Sequence, residues 1–499
     1  MVQSPAADAS RDPARDPARD AGLAAASELF RSSVQLGDAA ACERLADRID
    51  ELAAAQPGDA AIALELAKTL VNASNCAPDA RGCARLADRV DRVAARFPDD
   101  ERIAQCAAMA HFNTTSGSGG AAPNIAAVDA ATARIGELLH RFPTSAAIAL
   151  ELARALFHGV LAAGGDRQRE LQAQLDALAD RFADSAEIAV RRIRAHCAAF
   201  GTNDRPPTAA LAQLCAMRKQ LPDSPMVAAE VLRALLVAGP HDAATRALVR
   251  AEADAAIARF PRAPTVAALV ARAWHSTVAG DLAARRALAD RTAALAASMP
   301  DVRPLAEQFA TTLAALAAVE TDPPHAARLA QRLAALQAAF PDSEAIALES
   351  ARAAVHRALG AADFTAIEAC VAHVGRLAAR WPASLPLARE LAKATWHEAC
   401  NCAEPAARNA AAARLDALAL RCGSEPALLR LVAASLLSCL ETDPEPPRRR
   451  ALAERLAAVV HWPADALARL ELAAGAADLP TRRELLRPLA ATLAHTPLP

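Results

Sequence analysis

Three polar positions recur along this chain at intervals of roughly 40 residues. The first, which we call the acidic column, consists of Glu65, Glu151, Glu230, Glu349, Glu390 and Glu471, with Arg191 in one copy. The cationic column lies three residues later and consists of Lys68, Arg154, Arg194, Arg233, Arg272, Arg352 and Lys393. The donor column lies four residues later again and consists of Asn72, Asn113, His158, Ser276, His356, His397 and Ser438.

Offsets of three and then four residues place the three columns on one face of a helix. If the copies stack, each column becomes a row of regularly spaced groups. Arginine and lysine make charge-assisted hydrogen bonds, so such rows suit an extended acidic peptide or a free terminal carboxylate. The candidate partner-binding residues are Lys68, Asn72, Arg154, His158, Arg194, Arg233, Arg272, Arg352, His356, Lys393 and His397.

The same columns have a purely structural interpretation. The glutamates and the cations can pair with each other within and between helices, each pair contributing ~0.2–0.5 kcal/mol to stability. The alternation of sign largely neutralises the rows, which favours this interpretation. The sequence leaves open whether the columns form a recognition surface or support the fold alone.

A repeated turn signal defines the elements that carry these columns. An aromatic residue followed by proline and a helix-capping residue occurs in forms such as RFPDD at 96–100 and RWPAS at 380–384. We call the position of the proline, or of the residue that replaces it, in each copy the anchor. The eleven anchors, 39 to 45 residues apart, are Pro57, Pro98, Pro143, Ala183, Pro222, Pro261, Pro300, Pro341, Pro382, Gly423 and Pro463. Such a period is typical of stacked supersecondary units rather than of a globular enzyme.

Each unit is predicted to contain a helix A, a loop of variable length and a helix B that ends at the anchor. The fold class is therefore all-α, a right-handed α-solenoid of about twelve antiparallel helix pairs. Residues 1–21, rich in Arg, Asp and Pro, are predicted to be a disordered leader. The predicted units are 22–57, 58–98, 99–143, 144–183, 184–222, 223–261, 262–300, 301–341, 342–382, 383–423, 424–463 and 464–499. The first and last units are expected to act as caps.

Helix B is predicted to end at the anchor because proline lacks an amide hydrogen and disfavours helical geometry in the residue before it. Asp or Ser after the anchor, as in Asp342 and Ser343, is expected to cap the next helix A. Leucines five residues before the anchor are expected in the core: Leu52, Leu138, Leu178, Leu295, Leu336, Leu377 and Leu418. The aromatic residues before the anchor are expected to pack between successive units: Phe97, Phe142, Phe182, Phe260, Phe340, Trp381 and Trp462.

Composition argues against nucleic-acid binding, membrane spanning, secretion by a signal peptide and a disulfide-rich fold. The 55 basic and 57 acidic residues give a formal charge of −2, which argues against a general preference for nucleic acid. No apolar run is long enough to span a bilayer, and residues 1–20 lack the apolar region of a signal peptide. Eleven cysteines, an odd number scattered through the chain, do not form a disulfide framework. The expected compartment is therefore reducing, most simply the cytoplasm.

Motifs for catalysis, metal binding and nucleotide binding are weak or absent in the sequence. His397, Glu398, Cys400 and Cys402 lie close together, but a zinc site requires four ligands at defined spacing, so metal binding is disfavoured. Cys76 and Cys83 bracket one loop and are expected to be free thiols. Neither a glycine-rich phosphate loop nor a nucleophile motif occurs. We therefore predict a non-enzyme without a cofactor.

The segments IALELAKTLVNAS at 62–74 and IALELARALFHGV at 148–160, each followed by a helix B ending in a Phe-Pro step, resemble tetratricopeptide-like repeats. The resemblance covers about residues 22–499, although these units are longer than the usual 34 residues. It implies an antiparallel helix pair closed by a proline turn, and partner binding in a groove lined by helix A. Stacks of the HEAT or armadillo type have similar repeat lengths and stay open as an alternative. The Trp-Pro steps also resemble the repeats of secreted bacterial effectors.

The predicted function is a protein–protein interaction scaffold that binds a protein or peptide, with an acidic peptide best suited to the cationic column. The helix-A groove is the first candidate surface, and the edge formed by the A–B loops is the second. A nucleic-acid-binding helical repeat is the first alternative, and a secreted effector is another. We expect no membrane association.

Overall fold

The computed structural model describes residues 17–115, 124–198, 207–239, 242–278, 280–360, 363–423, 425–460 and 462–493. These residues form 24 α-helices and no strand, which confirms the predicted all-α fold built from about twelve helix pairs. The chain divides into two compact units, unit 1 up to Phe260 and unit 2 from Pro261. The sequence did not predict this division.

Unit 1 contains twelve helices, whose odd numbers are A helices and whose even numbers are B helices. They are α1 Pro17–Val34, α2 Ala39–Ala55, α3 Ala60–Asn75, α4 Ala80–Arg96, α5 Glu101–Asn113, α6 Ile125–Arg141, α7 Ala146–Ala162, α8 Gly165–Arg181, α9 Ala186–Ala198, α10 Pro207–Gln220, α11 Pro225–Ala238 and α12 Ala243–Arg259. Helix α1 begins at Pro17, so residues 17–21 are helical rather than part of a disordered leader. The rest of the predicted leader, and most of the long loop at 113–124, lie outside the described residues.

Unit 2 contains the other twelve helices. They are α13 Pro264–Thr277, α14 Leu282–Ser298, α15 Arg303–Ala317, α16 Pro323–Ala339, α17 Glu344–Leu359, α18 Phe364–Arg380, α19 Leu385–Asn401, α20 Pro405–Arg421, α21 Pro426–Thr442, α22 Pro446–Val459, α23 Ala464–Gly475 and α24 Leu479–Thr492.

Packing within each unit follows one rule. Each A helix contacts the B helix of its own pair and the A helix of the next pair, and each B helix also contacts the following A helix. The successive contacts of α1, α3, α5, α7, α9 and α11 in unit 1 show the pattern, which continues in unit 2 from α13 to α21. The short connections make paired helices antiparallel. This arrangement is the repeated helix pair that the resemblance to tetratricopeptide repeats implied.

The core of each stack consists mainly of alanine and leucine. Alanine at helix crossings, for example Ala67, Ala153 and Ala271, is fully buried. In the predicted leucine row, Leu138, Leu178, Leu377 and Leu418 are buried, and Leu52, Leu295 and Leu336 are half-buried. Small residues let helix axes approach closely, and this explains why a chain with 3% aromatic residues can still form continuous cores.

The anchor turn ends helix B as the sequence predicted. The aromatic residue before the anchor is the C-cap in most copies; the amide of Phe142, for example, donates to the carbonyl of Leu138 at 2.9 Å. The next helix A begins three residues after the anchor, and its N-cap lies one residue before it: the side chain of Ser384 accepts from the amide of Leu387 at 3.3 Å. The same cap is formed by Asp59, Asp100, Ser145, Ser224 and Ser343.

The arginine that precedes the aromatic residue links neighbouring repeats. Arg96 donates from Nη2 to the carbonyl of the preceding anchor, Pro57, at 3.2 Å. Arg380 instead pairs with Asp342, one residue after the preceding anchor, at 2.8 Å. Each of these guanidinium groups also lies over the ring of the residue that follows it, 5.7 Å from the centroid of Phe97 in the first case. The Arg-aromatic-Pro phrase therefore joins one anchor turn to the next.

Ion pairs also connect successive B helices. Arg85 in α4 pairs with Glu43 in α2 at 2.6 Å, and Arg455 in α22 pairs with Asp416 in α20 at 2.6 Å. The partners lie about one repeat apart in sequence. These exposed pairs include many of the charged residues. The near balance of acidic and basic residues therefore reflects ion pairing on the outer surface of the stack.

Candidate functional site

Four of the six glutamates of the acidic column are buried, whereas Glu65 is half-buried and Glu471 is exposed. Glu151, Glu230, Glu349 and Glu390 are all buried, whereas the cations of the next column keep between 33% and 49% of their side-chain surface exposed in the pairs they form. Burial raises the pKa of Glu151 and of Glu349, and the neighbouring arginines oppose that shift. Buried carboxylates of this kind require a cation beside them.

The cationic column supplies those cations within the same helix. Lys68 pairs with Glu65 at 3.1 Å, Arg154 with Glu151 at 2.9 Å, and Lys393 with Glu390 at 2.8 Å. Arg352 pairs with Glu349 at 2.9 Å and approaches Glu390 of the next A helix at 3.9 Å. Lys68 and Arg154 also lie over the rings of Phe30 and Phe112, respectively. These four cations therefore make the ion pairs that the structural interpretation predicts.

The donor column joins successive A helices. Asn72 donates from Nδ2 to Oγ of Ser33 at 2.9 Å, and Asn113 donates to Oγ of Ser74 at 3.0 Å. One repeat further, Nδ1 of His158 lies 2.9 Å from Oγ1 of Thr115. The hydroxyl residues Ser33, Ser74 and Thr115 recur every 41 residues in the sequence, a signal that we had not used.

The histidines of the donor column differ in their surroundings. Burial, followed by the charge of Arg191, lowers the pKa of His158, whose ring lies 4.9 Å from that of Phe112. Nε2 of His397 lies 3.1 Å from the carbonyl oxygen of Ala358, and Nδ1 of His397 lies 3.0 Å from Nδ2 of Asn401. His356 is exposed. Asn72, His158 and His397 thus take part in contacts within the fold.

The A-helix face of α7, α9 and α11 departs from the pattern. Arg194 of α9 makes a bidentate pair with Glu230 of α11, its Nε and Nη2 each lying 3.0 Å from one carboxylate oxygen. Arg233 also pairs with Glu230. Arg191 occupies the acidic column between Glu151 and Glu230, where six of the eleven copies have glutamate.

Arg191 lies near Glu230 and Glu151 but makes no ion pair among the described residues. Its Nε is buried and has no hydrogen-bond partner among the residues that the structure describes. Burial lowers the pKa of Arg191, and the charges of Arg194 and Arg154 lower it further. Leaving a buried guanidinium nitrogen without an acceptor is unfavourable. Four guanidinium groups therefore face two carboxylates here. We call this set, Arg154, Arg191, Arg194, Arg233, Glu151 and Glu230, the arginine cluster.

Arg272 in α13 is isolated. It is exposed, and within the described part of unit 2 it makes no ion pair. The acidic column has Leu269 at this copy and Gln308 at the next. Within unit 1 the structure groups Arg154, His158, Arg194 and Arg233 with Arg191.

The residues once considered as metal ligands have other partners. Glu398 pairs with Arg414 at 2.6 Å, and Sγ of Cys402 lies 3.6 Å from the carbonyl oxygen of Glu404. Within the described ranges, no group of three or more His, Cys, Asp or Glu side chains is arranged to hold a metal ion. All eleven cysteines, including Cys76 and Cys83, are free. None of the helices described is long and apolar enough to cross a membrane.

Comparison with known proteins gives structural neighbours and no sequence relatives. No family model matches the chain, and no curated protein matches it. Among solved structures, the TPR domain of P58(IPK) is 11% identical with a TM-score of 0.21, covering 77% of this chain and 99% of that one. The human IFIT1 dimer with PPP-AAAA is 13% identical with a TM-score of 0.27, covering 89% and 95%.

The complex Naa15/Naa10 bound to HypK-THB is a third neighbour, 12% identical with a TM-score of 0.23, covering 94% of this chain and 74% of that one. Because these sequence identities and TM-scores are low, the fold assignment rests on the helix contacts of the structure itself. Those contacts, a repeated antiparallel pair in which each A helix packs against the next, show an all-α helical-repeat fold in each unit.

Proposed function

We propose that this chain is a non-catalytic scaffold whose arginine cluster binds an acidic segment of a partner protein. The observation that carries the proposal is Arg191, a cation at the position where the preceding and following copies have Glu151 and Glu230, with a buried Nε that has no acceptor among the described residues. The A-helix face of unit 1 gives a row of side chains against which an extended peptide can lie. The cytoplasm stays a prediction.

Charge explains why an acidic segment is the ligand that fits. In the copies at Lys68, Arg352 and Lys393 each cation is matched by one glutamate, and such positions attract an anion weakly. In the arginine cluster the two carboxylates are already held by Arg154, Arg194 and Arg233. A carboxylate from a partner would pair with Arg191 and offset the repulsion among the guanidinium groups.

The confined extent of the cluster favours a short acidic motif over a nucleic acid. A nucleic acid follows a long cationic track, and each neutralised phosphate increases the salt dependence of binding. The cationic residues on either side of the cluster are either neutralised, as Lys68 is by Glu65, or far apart in sequence. We therefore propose a protein partner whose acidic residues contact α7, α9 and α11.

Affinity capture from the native cell with Arg191→Glu tests this proposal. The matched control is Arg44→Glu, which changes the same charge on an exposed B-helix position of unit 1. A partner that is captured by the wild-type chain and by Arg44→Glu, but lost with Arg191→Glu, supports the proposal. Equal capture by all three chains would move the binding surface to the A–B loop edge. Loss of a captured RNA rather than of a protein would favour the nucleic-acid alternative.

A further inference from the structure

The last helix pair of unit 2 packs differently from the pairs before it. Helix α24, a B helix by its place in the repeat, packs directly against the A helix α21. Arg483 of α24 pairs with Glu441 of α21 at 2.7 Å, and the buried Arg482 donates to the carbonyl of Asp443 at the end of α21. The stack therefore ends with a helix lying on the A-helix face.

This packing leaves a cavity between three helices. Its volume is about 470 Å³, within the usual range of small-molecule sites. Trp396 and Cys400 of α19, Leu437 and Ser438 of α21, Leu486 of α24 and Leu493 at the C-cap of α24 form most of its wall. The side chains of Leu486 and Leu493 are buried. The wall is therefore mainly apolar, with a few polar groups.

Two of those polar groups have no partner in the described part of the chain. The indole Nε1 of Trp396 is buried and donates to no acceptor. Arg487, on the exposed side of α24, also lines the cavity and makes no ion pair there. Its neighbour in the lining, Arg483, is already matched by Glu441. The rim of the cavity thus has one cation in excess, and one wall contains a buried N–H donor in need of an acceptor.

We propose that this cavity binds a small amphipathic monocarboxylate, with its alkyl or aryl body among Leu437, Leu486 and Leu493 and its carboxylate at Arg487. One excess cation suits a single negative charge. The apolar wall favours a body without charge, because burying a further ionised group there would lack compensation. The site lies within unit 2 and does not depend on the arginine cluster of unit 1.

The test is isothermal titration of the full-length protein with decanoate below its micellar concentration. The expected result is saturable binding of one decanoate per chain. Decanol, which has the same alkyl body without the charge, should bind more weakly. Absence of saturable binding, or decanol binding as tightly as decanoate, would overturn the proposal.

Matched variants locate the site. Ala490 lines the cavity and is exposed, so Ala490→Phe should fill the mouth and abolish binding. Ala491→Phe adds the same side chain at the next exposed position, outside the lining, and should leave binding intact. Arg487→Gln should weaken decanoate binding roughly fivefold, as expected for an exposed ion pair, and leave decanol binding unchanged.

A further variant tests the site even if Ala490→Phe perturbs the fold. Trp396→Phe keeps an aromatic ring but is smaller and lacks the N–H, so it should weaken decanoate binding. Equal binding by Ala490→Phe and Ala491→Phe, with no effect of Arg487→Gln, would contradict the proposed site. Circular dichroism of each variant checks that the helices are retained.

Discussion

Nδ2 of Asn72 donates a hydrogen bond of 2.9 Å to Oγ of Ser33, 39 residues earlier in the chain. The bond joins α3 to α1, and the equivalent bond between Asn113 and Ser74 joins α5 to α3. A side chain that the spacing placed in a ligand groove is therefore used to hold two A helices together. The donor column contributes to the cohesion of the stack.

We expect Asn72→Ala to destabilise unit 1 by about 1 kcal/mol, because a hydrogen bond between partly buried groups is lost and Ser33 keeps a buried hydroxyl. Urea unfolding followed by circular dichroism measures the change. Ser33→Ala and the double variant complete a cycle. If the bond is the cause, the double variant should be little less stable than either single variant. Additive losses would show that the two side chains act separately.

Replacing Arg191 by glutamate should have opposite effects on stability and on binding. The change restores the acidic column and gives Arg154 and Arg194 a carboxylate, so we expect stability to rise by about 1 kcal/mol. The proposed acidic partner should be lost at the same time. Thermal unfolding, compared with Arg44→Glu, measures the first effect. A destabilised Arg191→Glu would mean that the guanidinium group has packing contacts that outweigh its repulsion.

Arg449 should be the residue whose loss most affects the end of unit 2. It is 2% exposed, and its guanidinium group donates to the carbonyls of Ala474, Asp443, Pro444 and Ala476 at 2.8 to 3.1 Å.

We expect Arg449→Met to destabilise unit 2 by about 3 kcal/mol or more, because these buried carbonyls lose their donor. Arg450→Met, on an exposed position of the same helix, is the control and should change stability by less than about 0.5 kcal/mol. Denaturant unfolding compares the two. A similar effect of both substitutions would contradict a role specific to Arg449.

The pH dependence of the stability of unit 1 should reflect the titration of His158. Burial among Phe112, Phe157 and Thr115, with the charge of Arg191 nearby, lowers the pKa of this imidazole in the folded state. The unfolded chain then takes up the proton first. The contribution of His158 to the free energy of unfolding is complete above the unfolded pKa of about 6.5. It decreases as the pH falls towards the folded pKa.

The His158→Gln variant lacks this titration. Between pH 7.5 and 5.5 we expect its free energy of unfolding to fall less than that of the wild-type chain. Other histidines with lowered pKa values, His275 and His373, affect both chains equally, so the difference isolates His158. Parallel pH profiles of the two chains would show that His158 contributes nothing to the acid sensitivity.

The sequence by itself determined the repeat and the ends of the helices. A proline cannot donate in the last turn of helix B, and an Asp or Ser two residues on caps the next helix; both effects act over a few residues. The burial of Leu138 and Leu377 follows from the period of the apolar positions, which is also local. Each of these features can be read from a short segment.

Only the tertiary structure decided which polar groups meet. The pairing of Arg194 with Glu230, the bond from Asn72 to Ser33 and the packing of α24 on α21 all join residues tens of positions apart. The boundary between the two units at Phe260 was also unforeseen. Hydrogen bonds and ion pairs require partners within about 3 Å, a condition set by the relative placement of packed helices. A column of residue types in the sequence cannot specify that placement.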